Sequence, residues 1–321
     1  MNQLLSEIAM TIQTQHSLIE QVVLPNVRDL GGFDVCRALP SKQRRMGGPF
    51  VFLGSFGPVV FGVGGHLGTR AHPHIGLATI SYLLQGEMLY RDSAGHTQQL
   101  QAGEINLMVA GRGIVHSERS GKPEGASAGS LMGQAWVALP DAHEETEPGF
   151  QHLAAPTLPS TDGDGLTLRL LAGSLRGRSH RPGRSQISST PTCNWKLGPL
   201  IAFWGAYRTC GLCGRWRSRG GGQMGRFGAD QLVLLRPGGD IIIRALKGAR
   251  LVLLGGEPLE GSRHIYWNFV SSSRQERILQ AAETGARAVF PGCPLKTASH
   301  YRIQRAGGPS NNRRNALTTS A

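Results

Sequence analysis

The stretch "TISYLLQGEMLYRDSAGHTQQLQAGEINLM", from Thr79 to Met108, constrains the fold most. Short apolar runs are cut by Gly86, Gly95 and Gly103 before any of them could complete a helix of ordinary length. Glycine is the residue that lets a chain reverse tightly, so the stretch reads as hairpin after hairpin. The pattern continues on both sides. "PFVFLGSF" (Pro49 to Phe56), "GQAWVALP" (Gly133 to Pro140) and "LTLRLLAG" (Leu166 to Gly173) read as further strands. With 45 glycines in 321 residues and 40% hydrophobic residues, the chain has both the turns and the core material of an all-β protein. One segment differs. Ser273 and Glu276 form an S-x-x-E capping pattern ahead of a helical run, which predicts a short C-terminal helix over 274–285. Residues 1–24 read as a polar tail or a short helix.

An internal echo suggests two β-domains in tandem. "LQAGEINLMVAGRG" (Leu100 to Gly113) and "FGADQLVLLRPGGD" (Phe227 to Asp240) share a small turn, an apolar strand and a Gly-rich turn. No run of eighteen apolar residues is present, which predicts no transmembrane helix. The start lacks the basic region of a signal peptide. Five scattered cysteines suit a reducing cytoplasm better than a disulfide framework.

The net charge of +13 resembles a nucleic-acid signal, but its distribution says otherwise. Gly165 to Ala229 carries eleven Lys or Arg and no acid; Thr284 to the end carries six and no acid. Setting both tracts aside removes 17 of the 34 basic residues and none of the 21 acids, which leaves −4. The excess belongs to two unusual segments, and the mildly acidic remainder argues against nucleic acid as a partner.

The chemistry lies in "AHPHIG" and "GIVHSE". In a strand, residues two apart share a face, so His72 and His74 project together, as do His116 and Glu118. About forty residues of hairpins separate the pairs. Antiparallel strands would bring three imidazoles and one carboxylate together inside a β-barrel. That donor set suits a borderline divalent transition metal such as iron, nickel, copper or manganese, and suits structural zinc poorly because no cysteine is near. Four protein ligands on such an ion leave positions open for a substrate or dioxygen. The other eight histidines have no such partner.

Longer stretches carry a family resemblance. "VRDLGGFDVCRALPS", "AHPHIGLATISYLLQGEMLYRDSAG", "MVAGRGIVHSERS" and "LLGGEPLEGSRHIYWNFVSSSRQERI" resemble the pirins, of the cupin superfamily, over about Pro25 to Ser174 and Phe227 to Ala282. The resemblance implies a bicupin of two jelly-roll-like β-barrels, with boundaries at 25–155 and 156–290, and a metal in the N-terminal barrel alone. It implies ligands at His72, His74, His116 and Glu118, and usually Fe(II), with Ni, Cu, Mn and Zn as alternatives. It implies activity as a quercetin 2,3-dioxygenase, opening a flavonol ring with O2 and releasing CO, with Glu118 as the catalytic base. The alternative is a non-enzymatic, iron-dependent redox-sensing regulator that binds a protein partner. Two stretches depart from the family pattern, "LGSFGP" (Leu53 to Pro58) and "FGVGGHLGTR" (Phe61 to Arg70), and neither removes a ligand.

The largest departure is 175–226. It contains Cys210-x-x-Cys213, a weak redox or zinc pattern without a second pair. A reading-frame fault explains more. With codons CGA ACG TGC GGT CTA TGT GGC, "RTCGLCG" read one base later becomes Glu-Arg-Ala-Val-Tyr-Val, a strand of the kind pirins carry there. With CGG TGG AGG TCG AGG GGG, "RWRSRG" read two bases later becomes Val-Glu-Val-Glu-Gly. The offsets differ, so both readings together need a further slip near Gly214. The missing acids and the abrupt return of family text at Phe227 agree with a frameshift over 175–226, and the tail 291–321 reads the same way. A protein so altered would be an inactive product. The competing reading is a real basic insertion that binds RNA or an acidic partner, with Trp204 and Trp216 set among arginines.

Overall fold

The computed structural model describes residues 19–29, 34–59, 67–120, 130–163, 166–175, 178–180, 200–202, 212–218, 221–227, 231–235, 240–245, 250–255, 259–273 and 275–285. Its elements are almost all strands. The first half holds β1 (Ile19–Val23), β2 (Asn26–Asp29), β3 (Asp34–Leu39), β4 (Phe50–Val59), β5 (Leu67–His74), β6 (Leu77–Gln85), β7 (Glu87–Asp92), β8 (Thr97–Gln101), β9 (Ile105–Val109), β10 (Ile114–Ser120), β11 (Ser130–Ala138) and β12 (Gly149–Leu153). The second half holds β13 (Ser160–Gly163), β14 (Leu166–Arg169), β15 (Gly173–Leu175), β16 (Arg178–His180), β17 (Leu200–Ala202), β18 (Leu212–Ser218), β19 (Gly221–Phe227), β20 (Leu232–Leu235), β21 (Asp240–Ala245), β22 (Val252–Leu253), β23 (His264–Tyr266) and β24 (Phe269–Ser271). Helix α1 (Gln275–Gly285) follows, as the sequence predicts.

Two sheets face each other in the first half. The larger runs β12-β9-β6-β11-β4-β3-β2 and the smaller β5-β10-β7-β8. Gly86, Gly95 and Gly103 all take positive φ (87°, 95° and 86°), the turn positions read from the sequence. The core lies between the sheets. Phe52, Phe56 and Leu83 of the larger sheet pack on Met88 and Leu100 of the smaller. Leu77 and Met108 likewise meet Tyr90 and Ile114.

The tail reading of 1–24 fails at its end. Ile19–Val23 is a strand, antiparallel to β20, with Val23 opposite Leu232. The segment "IEQVV" alternates in burial, with Glu20 and Val22 outward and Val23 inward, the period of a strand and not of a helix. Residues 1–18 and 286–321, which include the tail 291–321, lie outside the described residues.

In the second half, β1-β20-β17-β22 and β19-β18-β21 form two further sheets. The two echo segments each yield a strand inside a sheet: β9 between β12 and β6, and β20 between β1 and β17. All four residues of β20 are buried. Leu232 and Leu234 pack on Leu39, Phe50, Leu53, Ala135 and Val137, the outer face of the larger sheet of the first half.

The segment from Leu259 to α1 also folds back on the first half. Val270 N–H donates to the Ile75 carbonyl. Ile75, Phe269, Ile278 and Ala281 form one buried cluster, the last two a helical turn apart on α1. Gly76 makes this approach possible. Its φ is +65°, and a Cβ there would collide with the Val270 carbonyl oxygen. Among the described residues no helix is long and apolar enough to cross a membrane.

Candidate metal centre

Strand β5 carries His72 and His74, and its neighbour β10 carries His116 and Glu118. The antiparallel register sets His116 opposite His72 and Ile114 opposite His74. Hairpins between the segments do bring them side by side, as the spacing requires. The histidine ring centroids lie 4.4 to 4.9 Å apart. One nitrogen from each of His72, His74 and His116 falls within 4.8 Å of the others. His74 and His116 are buried, with their Nε2 atoms 3.0 Å apart.

Glu118 does not join them. The register slips between His116 and Glu118, so that Glu118 faces Thr69. Such a bulge re-aims the side chain beyond it. The buried carboxylate instead accepts from Ser81 Oγ (3.0 Å, to Oε1) and from Gln134 Nε2 (3.2 and 3.1 Å) across the gap between the sheets. Trp136 Nε1–H donates to Gln134 Oε1 at 2.9 Å. The indole stacks on Phe52 at 4.4 Å and meets His74 edge-on at 5.0 Å. Phe52 belongs to β4, the strand that also carries the unusual "LGSFGP". Residues 61–66 of the second unusual stretch lie outside the described residues, as does Cys210.

Electrostatics favour neutral imidazoles here. Burial pushes His74 well below the ordinary histidine range, and His72 adds to this against an opposing effect from the backbone of Asn268. Burial likewise lowers His116, reinforced by His72 and His74. Burial raises Glu118, against the hydrogen bonds from Gln134 and Ser81. Tyr90, stacked on Phe150 and 5.3 Å from the His116 ring, is pushed upward first by burial and then by Asp92. Its hydroxyl stays a donor to Asp92 at 2.9 Å.

The triad fits a metal ion. Neutral imidazole is the ligating form. His116 leaves a buried Nδ1 without a hydrogen-bond partner. Two facing Nε2 atoms can share at most one proton between them, whereas a cation takes a lone pair from each ring. Three nitrogens without a thiolate match the borderline metals.

The sequence did not single out Ser81, Gln134 or Trp136. A signal was present: Ser81 and Gln134 are polar residues in apolar strands, and a polar group at a buried strand position demands a partner.

A family model described as Pirin matches residues 32–137, and one described as the Pirin C-terminal cupin domain matches 217–290. The chain is similar to a pirin-like protein of Caulobacter vibrioides, 40% identical over 278 residues that cover 82% of this chain and 92% of that one. It is similar to a Pseudomonas aeruginosa protein provisionally named a quercetin 2,3-dioxygenase, 35% identical over 84% of each chain. Among solved structures, a quercetin 2,3-dioxygenase from Acinetobacter baumannii superposes with a TM-score of 0.67 at 29% identity, covering 91% of this chain and 97% of that one.

Proposed function

Since this chain belongs to the pirin family and has the bicupin fold, we propose that it is a metal-dependent quercetin 2,3-dioxygenase, opening a flavonol ring with O2 and releasing CO. The observation that carries the reading is the convergence of His72, His74 and His116 inside the first barrel. These residues would hold the ion, Fe(II) by preference, with Ni, Cu, Mn or Zn as alternatives and Glu118 as a fourth ligand. Bound there, such an ion would supply a Lewis acid that lowers the pKa of a hydroxyl beside it. Glu118 is the base for the flavonol 3-hydroxyl, its carboxylate steadied by Ser81 and Gln134. Phe52, Trp136 and Tyr90 wall the site with aromatic surface. The scattered cysteines support a reducing cytoplasm as its compartment.

The test is quercetin consumption and CO release by the iron-loaded protein, with His72→Ala and Glu118→Gln beside it. Both variants should lose turnover. Full activity in both would move the site elsewhere. Stoichiometric iron without turnover would favour the redox-sensing regulator that binds a protein partner.

We further infer that the tract beginning at residue 175 is read out of frame. The proposed tract is 175–226; the two family models leave 138–216 unmatched, a gap that takes in most of it, and this supports the reading. The tail 291–321 is proposed to share the fault. Resequencing the DNA for Leu171 to Gln231 decides the first: gained or lost bases that restore acidic strands support it, and an unchanged frame removes it. An inactive product would be insoluble as written; a soluble protein with a cooperative melt would speak against that.

A further inference from the structure

We propose that Thr69 is a substrate-binding residue of this site: its hydroxyl donates to the 4-carbonyl oxygen of the flavonol, while Glu118 takes the proton of the neighbouring 3-hydroxyl. The proposal rests on the dioxygenase reading above and adds to it the residue that recognises the carbonyl.

The register places Thr69. Strand β5 pairs with β10 as His72 opposite His116 and then Thr69 opposite Glu118. Two steps along β10 match three along β5, so β5 carries the extra residue. Uninterrupted pairing would set Arg70 against Glu118, where a guanidinium would pair with the carboxylate and favour its ionised form. The bulge sets a neutral hydroxyl there instead. On the far side of β10, Tyr90 of β7 stands opposite Glu118. Directly opposed residues share a face of the sheet, so Thr69, Glu118 and Tyr90 form one row. The next row holds His72 and His116.

One member of the Glu118 row lacks a partner. Glu118 accepts from Ser81 and Gln134, and Tyr90 donates to Asp92. The Thr69 hydroxyl oxygen is buried and has no hydrogen-bond partner, not even the carboxylate opposite it. A buried hydroxyl left so costs free energy and asks what it is there to meet. A flavonol answers. It carries its 3-hydroxyl and 4-carbonyl on adjacent ring carbons, and in the free molecule the hydroxyl proton bonds to the carbonyl oxygen. Once Glu118 takes that proton, the carbonyl has lost its donor. The threonine O–H beside the carboxylate restores one. An acceptor and a donor side by side thus match the two oxygens of the ligand, and a flavonoid without the 4-carbonyl leaves Thr69 unpaired.

The experiment compares the full-length, iron-loaded protein with Thr69→Val, which keeps the shape and removes the hydroxyl, and with Thr69→Ser, which keeps the hydroxyl. Quercetin binding is measured without O2 by the shift in flavonol absorbance, KM and kcat with O2, and the melting temperature without ligand. Thr69→Val should bind quercetin about tenfold more weakly, the effect of one lost hydrogen bond that leaves a polar group unpaired. KM should rise by a similar factor with kcat nearly unchanged, the mark of a contact made equally in ground and transition states. Thr69→Ser should restore both. The melting temperature of Thr69→Val should equal or exceed that of the unaltered protein, because the hydroxyl bonds to nothing in the unliganded fold. Unchanged quercetin binding in Thr69→Val, a loss that Thr69→Ser does not repair, or a Thr69→Val protein that melts early or does not fold overturns the proposal and leaves the dioxygenase reading standing. Failure of the unaltered protein to bind quercetin overturns both.

Discussion

Strands β10 and β20 both bury side chains, but they use burial for different ends. β10 directs His116 and Glu118 into the space between two sheets. β20 is Leu-Val-Leu-Leu, apolar on both faces, and half of it seals the outer wall of the first barrel. A strand whose inward positions are polar gives up cohesion to hold chemistry, and a strand that is apolar throughout supplies cohesion alone. The first unit of the tandem carries the candidate site, and the second, where it meets the first, acts as adhesive. The difference also explains why "LEGSRHIYWNFVSS" reads as family text despite its distance in sequence from the histidines. It straps the second half to the strand end beside His74.

The comparison breaks most sharply at the triad. His116→Ala should abolish stoichiometric metal binding while the melt stays cooperative, as measured by metal content per chain and circular dichroism. Retained stoichiometry would show that the ion sits elsewhere. Next is the strap. Arg263, its side chain 1% exposed, reaches Asp141 at 2.5 Å, Glu144 at 3.4 Å and the Leu139 carbonyl at 3.1 Å. Glu144 also accepts from Ser271 and Ser272. Arg263→Met leaves that buried carboxylate without its cation and should cost about 4 kcal/mol in chemical denaturation. A loss below about 1 kcal/mol would mean that the strap contributes little. The adhesive strand follows. Leu234→Ala should cost about 3 kcal/mol through the cavity it opens, with metal stoichiometry unchanged. Loss of metal in this variant would erase the division of labour between the halves.

The first barrel was legible because its signals are local. Glycines at 86, 95 and 103 mark turns by conformation alone, and His-x-His and His-x-Glu share a face by the period of a strand. Alternation predicted all four candidate ligands on one side. It could not foresee the slip in register after His116, because a bulge depends on what the partner strand and the opposite sheet offer. Ser81 and Gln134 make that offer from β6 and β11, far from Glu118 in sequence. The strand at Ile19–Val23 was missed for a related reason: its partner β20 lies more than two hundred residues away. A short segment that pairs so distantly leaves no trace in its own neighbourhood beyond weak alternation.

The smallest expected effect concerns pH, and it separates the two kinds of buried polar group in the site. His74 and His116 are held low by burial, so the folded protein keeps them neutral where the unfolded chain, titrating near 6.5, takes up protons. The unfolded state then binds more protons, and stability rises with pH in that range. Their contribution is complete above about pH 6.5 and is lost as pH falls through the lowered folded values. Glu118 acts in the opposite sense. Its raised value means that the folded state holds the extra proton, so its contribution is lost as pH rises from the ordinary carboxyl range. Glu118→Gln removes the second effect and leaves the first. In metal-free Glu118→Gln protein the melting temperature should fall by a few degrees between about pH 7.5 and about pH 5. Adding His116→Gln should flatten that slope. An equal slope with and without His116 would mean that the imidazole is already accessible to solvent and that β10 is not the sealed wall its burial describes.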